Sequence, residues 1–149
     1  RKDKPLTEAS VFATGYEGED IDQFLNKLIK NSIDLVVDIR DNPFSMKFSF
    51  TKSRLIRHLQ KIGLGYTHLK ELGVEKELRK ELGATEDYAA FFDAYKKKLA
   101  QNETIISELM QLAANHRIAL LCFENDPKRC HRSILAAELK SKGVQVSFI

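Results

Sequence analysis

Residues 117–149 read "RIALLCFENDPKRCHRSILAAELKSKGVQVSFI", and how this stretch is divided decides the fold. "RIALLCF" (117–123) is a continuous apolar run too short for a helix, which reads as a fully buried strand. A helix is expected from about Cys130 to Lys142, stopped by Gly143 as helices commonly are. "VQVSFI" (144–149) then supplies a final strand. A strand, a helix of ten or more residues and a second strand imply parallel pairing through a crossover.

Working outward, the same alternation recurs. "VFATG" (11–15) is a short buried strand closed by a glycine turn. Ile21, Phe24, Leu25, Leu28 and Ile29 follow at i, i+3, i+4, i+7 and i+8, the stripe of an amphipathic helix. "LVVDIR" (35–40) is a buried strand with charge at its carboxyl end. "DNPFSMKFSF" (41–50) reads as a long loop, because the residue before Pro43 is pushed out of the helical region. Thr51 is the expected N-cap of a helix carrying Leu55, Ile56, Leu59 and Ile62 and stopped by Gly63. "GYTHL" (65–69) is a third strand, and helices are expected at 74–82, 86–100 and 103–115. The expectation is an α/β three-layer sandwich, Rossmann-like, with a mainly parallel sheet. One domain spans 1–149, with 1–10 as a loose N-terminal segment.

Composition narrows the function classes. Hydrophobic residues make up 43% and charged residues 30%, ordinary for a globular chain. The 24 basic and 21 acidic residues leave a net charge of +3, so any electrostatic role must come from local clustering. No apolar run approaches the roughly 20 residues that span a bilayer, and no membrane partner is expected. Two cysteines, Cys122 and Cys130, make no disulfide framework, and a reducing cytoplasm is the default setting. No GxGxxG follows the first strand and no GxxxxGK[ST] occurs, which argues against dinucleotide-redox and P-loop sites. Cys122 and Arg129 are spaced one residue too far for the Cys-x5-Arg cradle of cysteine phosphatases. Cys122, Cys130 and His131 lack a second pair at ligand spacing, so neither a metal nor a cofactor is expected.

In an open parallel sheet, ligands bind beyond the carboxyl ends of the strands. Those ends here carry Tyr16 and Glu17, then Asp38 and Arg40 with the 41–50 loop, then Glu124 before Cys130-His131-Arg132. Cys130 is expected at a helix start among Arg129, His131 and Arg132, which favour its thiolate. Three readings stand side by side: an inert packed thiol, a filler in an anion site, and a nucleophile. Asp38 is either part of a structural network, with Arg40 or Arg132 as partner, or a direct ligand contact. Glu124 is placed to act as a general base or to accept from a hydroxyl. Phe44, Phe48 and Phe50 alternate with polar residues, which fits half-buried packing or a lid that stacks on a flat substrate with Lys47 and Lys52 meeting phosphate.

The chain resembles the domain-of-unknown-function family 488. The likeness is carried by "ATGYEG" (13–18), "LVVDIRDNPFS" (35–45), "FTKSRLIRHLQKIGLGYTHLKELG" (50–73), "YAAFFDAY" (88–95) and "LLCFENDPKRCHRSILAAEL" (120–139). The resemblance implies a compact α/β fold of Rossmann-like type. It maps recurring polar positions onto Asp38, Arg40, Ser45, Tyr66, Glu124, Cys130, His131 and Arg132. Many members read Gly-His-Ser in the first turn where this chain has Gly15-Tyr16-Glu17, so a role needing that histidine does not carry over. The likeness adds weight to a working Cys130-His131-Arg132.

The expected function is binding of, or action on, a phosphate-bearing, nucleotide- or nucleic-acid-derived ligand. Arg40, Ser45, Tyr16, His131 and Arg132 would bind it, and Cys130, Glu124 and Asp38 are the catalytic candidates. The rival is a non-catalytic module that binds a partner or single-stranded nucleic acid through a basic helix start and the aromatic loop.

Overall fold

Five parallel strands form one sheet in the computed structural model, which describes residues 10–42, 47–124 and 130–149. The strands are β1 (Val11–Gly15), β2 (Leu35–Asp38), β3 (Gly65–His68), β4 (Ile118–Cys122) and β5 (Val146–Phe148), in the spatial order β3-β2-β4-β1-β5. The helices are α1 (Ile21–Lys30), α2 (Lys52–Lys61), α3 (Lys76–Thr85), α4 (Tyr88–Ala100), α5 (Glu103–Asn115) and α6 (Arg132–Ser141). Short 3-10 turns occur at Phe48–Phe50 and Lys70–Leu72.

Alternation along the strands builds two cores. Val11, Ala13, Leu35, Val37, Ile118 and Leu120 face α4, α5 and α6. Phe12, Val36, Ala119 and Leu121 face Phe24 and Leu28 of α1 and Leu55 and Leu59 of α2. Each of these fully buried Leu, Ile or Phe side chains contributes roughly 1.5–3 kcal/mol over leaving it in water. The result is the three-layer α/β sandwich that strand–helix alternation implies.

Local chemistry fixes the ends. Asp20 Oδ1 accepts from Gln23 N at 2.8 Å while Gln23 Oε1 accepts from Asp20 N at 2.9 Å, a capping box that starts α1. The helix expected at 74–82 runs on through Gly83 and stops at Glu86, which takes a left-handed φ of 54°. Asp87 then accepts from Ala90 N at 3.0 Å and caps α4. The second strand ends two residues earlier than expected. Arg40 N turns back to Asp38 Oδ1 at 3.1 Å, and this Asx turn takes the amide out of the ladder. The helix expected from about Cys130 begins at Arg132.

Strand order positions the site. The chain leaves β1 and β2 through α1 and α2 on one face, and leaves β4 through α6 on the other. β4 is flanked by β1 and β2, so a crevice must open beyond the carboxyl end of β4, where connections diverge. Gly15 lets the strand ends close up there: a Cβ at that position would strike the Glu124 carbonyl.

Candidate functional site at the carboxyl edge of the sheet

The crevice is a cavity of about 430 Å³. Tyr16 comes to its wall from the end of β1, Arg40 and Asp41 from β2, and Cys122, Phe123 and Glu124 from β4. His131 reaches it from the start of α6, Lys47 from the loop after β2, and Arg79 and Phe91 from α3 and α4. Four of the eight residues expected to form the site, Tyr16, Arg40, Glu124 and His131, are thus brought together from three segments. Asp38, Cys130 and Arg132 lie behind the wall, and Ser45 lies outside the described residues, as do Phe44 and Arg129.

Asp38 is fully buried and works through Arg40. Its carboxylate accepts from Arg40 Nε at 2.8 Å, Arg40 Nη2 at 2.7 Å, Arg40 N at 3.1 Å and Tyr66 Oη at 2.5 Å. A carboxylate has about four acceptor sites, and these four donors fill them, which leaves Asp38 no lone pair for a ligand or a proton in transit. Arg40 in turn donates from Nη1 to Tyr16 Oη at 3.2 Å and to the Phe50 carbonyl at 2.8 Å. Of the five guanidinium N–H groups one remains uncommitted among the described residues, and that is what Arg40 can offer a ligand. Burial works against the Arg40 charge, but the hydrogen bonds and charge of Asp38 override it and hold Arg40 protonated. Burial and the same carboxylate push the Tyr66 hydroxyl well above its ordinary range, so it stays a donor.

Among the described residues of the loop after β2, the aromatic rings do not form a row. Phe50 is buried and stacked on Tyr16, with centroids 4.2 Å apart and planes 7° from parallel. Phe48 is 64% exposed and lies under the Arg54 guanidinium at 4.4 Å. Packing, and not a lid, is therefore the right description of Phe50, which is fully buried and holds Tyr16 against the cavity. Lys47 Nζ donates to the Glu19 carbonyl at 2.6 Å.

Behind the wall sits a sulfur pair that spacing rules alone passed over. Cys122 and Cys130 are both buried, with Sγ atoms 2.8 Å apart. Arg132 Nη1 donates to Cys122 Sγ at 2.8 Å and also to the Glu124 carbonyl. The Arg132 amide points at Cys130 Sγ from 3.4 Å, and His131 Nδ1 lies 3.7 Å from the same sulfur. Burial opposes a Cys130 thiolate, yet the hydrogen bond from Cys122 and the charges of His131 and Arg132 prevail and pull the thiol well below its ordinary range. Burial, the hydrogen bond with Cys130 and the charge on Cys130 push Cys122 the other way. His131 also ties the two halves of the site together: Nε2 is 3.3 Å from the Ile39 carbonyl and the ring packs edge-on against Tyr95 at 5.0 Å. Glu124 is raised above the usual carboxylate range, first by burial and then by the charge on Cys130.

Among the described residues three cations, Arg40, Lys47 and Arg79, face two carboxylates, Asp41 and Glu124, around the cavity. Arg79 was invisible in the sequence, since it stands in no motif and only the packing of α3 over the crevice reveals it. Phe123 stands in the 120–139 run but was read there as a strand residue. Cys122 did carry a signal. It shares the strand face of Ile118 and Leu120, the face α6 covers, so a cysteine at the start of α6 was bound to meet it. Among the described residues no group of three His, Cys, Asp or Glu is placed to hold a metal, and no helix is long and apolar enough to cross a membrane.

An all-parallel α/β sandwich with its cavity at the switch of strand order is the architecture of domains that build ligand sites from strand ends and helix starts. The family model described as "Domain of unknown function DUF488" matches residues 20–139, and the chain belongs to that family. No curated protein and no solved structure matches it.

Proposed function

We propose that the protein binds a small phosphate-bearing ligand of nucleotide type in the cavity beyond β1, β2 and β4. The observation that carries this reading is the composition of the wall. Tyr16, Phe91 and Phe123 line it beside the cations Lys47 and Arg79 and the remaining N–H of Arg40, and of these rings Phe123 is exposed. Aromatic faces accept a base, and guanidinium and ammonium groups accept phosphate oxygens. The volume of about 430 Å³ falls in the range of about 300–1,000 Å³ typical of small-molecule sites. Arg40 is the positioning element of the site and Arg79 its exposed cation. Arg132, which faces the sulfur pair, supports the wall from behind. The setting we propose is cytoplasmic, where free thiols stay reduced.

Thermal shift against nucleoside 5′-monophosphates, the parent nucleosides and inorganic phosphate tests this. A monophosphate at about a hundred times its Kd should stabilise the protein by about 2.7 kcal/mol, more than either fragment does. Arg79→Ala should weaken that binding roughly tenfold, the loss of one charge-assisted contact. A flat screen, or an Arg79→Ala variant that binds as well as the parent, rejects the reading.

A second outcome tests Glu124. Protonated, it removes one of the two negative charges facing the ligand. Its carboxyl is raised, so anion affinity should be highest below that raised range and fall as pH climbs through it. Sulfate, whose own charge is constant, isolates the effect. Glu124→Gln should flatten the pH profile at the level of the acidic limit; an unchanged slope would remove Glu124 from the site.

The interaction-module reading draws on the exposed Phe48 under Arg54. It expects an oligonucleotide to bind with a steep loss on raising salt and no competition from monophosphates. With Phe50 buried, that surface offers, among the described residues, one ring where stacking needs several, and the cavity reading is preferred.

A further inference from the structure

We propose that Cys122 and Cys130 form a dithiol–disulfide redox site set into the rear wall of the cavity, with a hydroperoxide as its oxidant. This stands on different observations from the ligand reading and survives that reading's failure. The two sulfurs are 2.8 Å apart, so a disulfide of about 2.05 Å needs a closure of under an ångström. They belong to neighbouring segments, the end of β4 and the residue two before α6, which the sheet has already brought together. Cys122 and His131 are part of the cavity wall, and Cys130 lies directly behind them, 2.8 Å from the Cys122 sulfur. A small oxidant in the cavity thus has one layer of side chains to pass.

The surroundings divide the labour. A reacting dithiol needs one sulfur as thiolate and a second that keeps its proton until the first has been oxidised. Here the Arg132 amide and His131 face Cys130. The Arg132 guanidinium donates to Cys122 and favours charge there, but burial and the hydrogen bond with Cys130 outweigh it. The Cys130 thiol is pulled down and the Cys122 thiol pushed up, the direction each role requires. An inert core thiol has no use for a buried arginine, and Arg132 is only 1% exposed.

The chemistry balances. The Cys130 thiolate attacks the terminal peroxide oxygen: an S–O bond forms and the O–O bond breaks. The departing alkoxide takes from solvent the proton that Cys130 released on ionising and leaves as the alcohol, or as water where the oxidant is hydrogen peroxide. Cys130 is then a sulfenic acid. The Cys122 sulfur attacks that sulfur, the S–S bond forms, and the S–O bond breaks. The hydroxide so released takes the Cys122 proton and leaves as water. Two thiols and one hydroperoxide give one disulfide, one alcohol and one water, with two electrons passing from sulfur to oxygen. A thiol reductant restores the pair.

The test uses the full reduced chain and hydrogen peroxide at one equivalent. Expected are loss of both titratable thiols, an intact mass lower by two hydrogens, a Cys122–Cys130 cross-linked peptide, and full recovery with dithiothreitol. Cys122→Ser should stop at a Cys130 sulfenic acid that dimedone captures. Should Cys122→Ser fail to fold, the mass and peptide results on the parent chain decide alone. The urea-unfolded chain is the control that the thiols can be oxidised at all. If that control reacts while the folded protein keeps both thiols, the proposal is overturned. It is equally overturned if the folded protein yields only intermolecular dimers or sulfinic acid.

Discussion

Replacing Asp38 by Ala should destabilise the protein by about 3–5 kcal/mol, the cost of stranding one member of a buried ion pair. Arg40 is 7% exposed and spends two of its guanidinium N–H groups on that carboxylate. Without it, the charge stays buried, because a guanidinium does not shed its proton. The Tyr66 hydroxyl loses its 2.5 Å acceptor in the same step. Direct gain from the ion pair is not the reason for so large an effect. Desolvating two charges offsets most of their attraction, and Arg40→Met with Asp38→Ala should therefore recover much of the loss. Urea unfolding of the two single variants and the double variant gives the answer. Single-variant losses that simply add, or an Asp38→Ala cost under about 1 kcal/mol, would mean the pair is solvated and no anchor for the site.

That pair also marks how far the sequence could be read. The two-residue spacing of Asp38 and Arg40 on a strand predicted a shared face, and the need to partner a buried Asp predicted Arg40 as one of two candidates. Choosing between Arg40 and Arg132 required the third dimension. Asp38 turned its own strand off at the Arg40 amide and so captured the nearer guanidinium. The three central strands β1, β2 and β4 were legible because buried parallel strands read as apolar runs between helical stripes. The edge strands β3 and β5 carry polar residues and were read from their place in the strand–helix alternation. The order of the strands was not legible, since β4 inserts between β1 and β2 from the far end of the chain. The rim shared by Tyr16, Arg40 and His131 followed from the rule that ligand sites gather at strand carboxyl ends. The contribution of Arg79 and Phe91 did not, because α3 and α4 carry no pattern that says which helix overhangs the crevice. The Cys130-His131-Arg132 run was read as a unit, but its second sulfur was set aside as a strand residue. A cysteine inside a strand looks inert until the helix packed on that face is known.

Arg132→Met should cost about 3 kcal/mol and at the same time raise the titration of the sulfur pair. Met keeps the volume of the stem and removes only the cation, so lost packing is not the main term. Among the described residues two groups then lose this donor, Cys122 Sγ and the Glu124 carbonyl. The cost stays below that expected for Asp38→Ala because a thiolate, unlike a guanidinium, can escape its predicament by taking up a proton. That escape is measurable. Thiolate absorbance near 240 nm at neutral pH should fall in the variant, and its midpoint should move toward the ordinary thiol range, since Arg132 is one of the groups holding Cys130 down. Reaction with iodoacetamide should slow in parallel. A variant that loses stability while keeping the parent's thiolate signal would make Arg132 a packing residue and leave the low Cys130 titration to Cys122 and His131. One that loses the signal but no stability would show the reverse, that the cation serves the sulfur and the fold does without it.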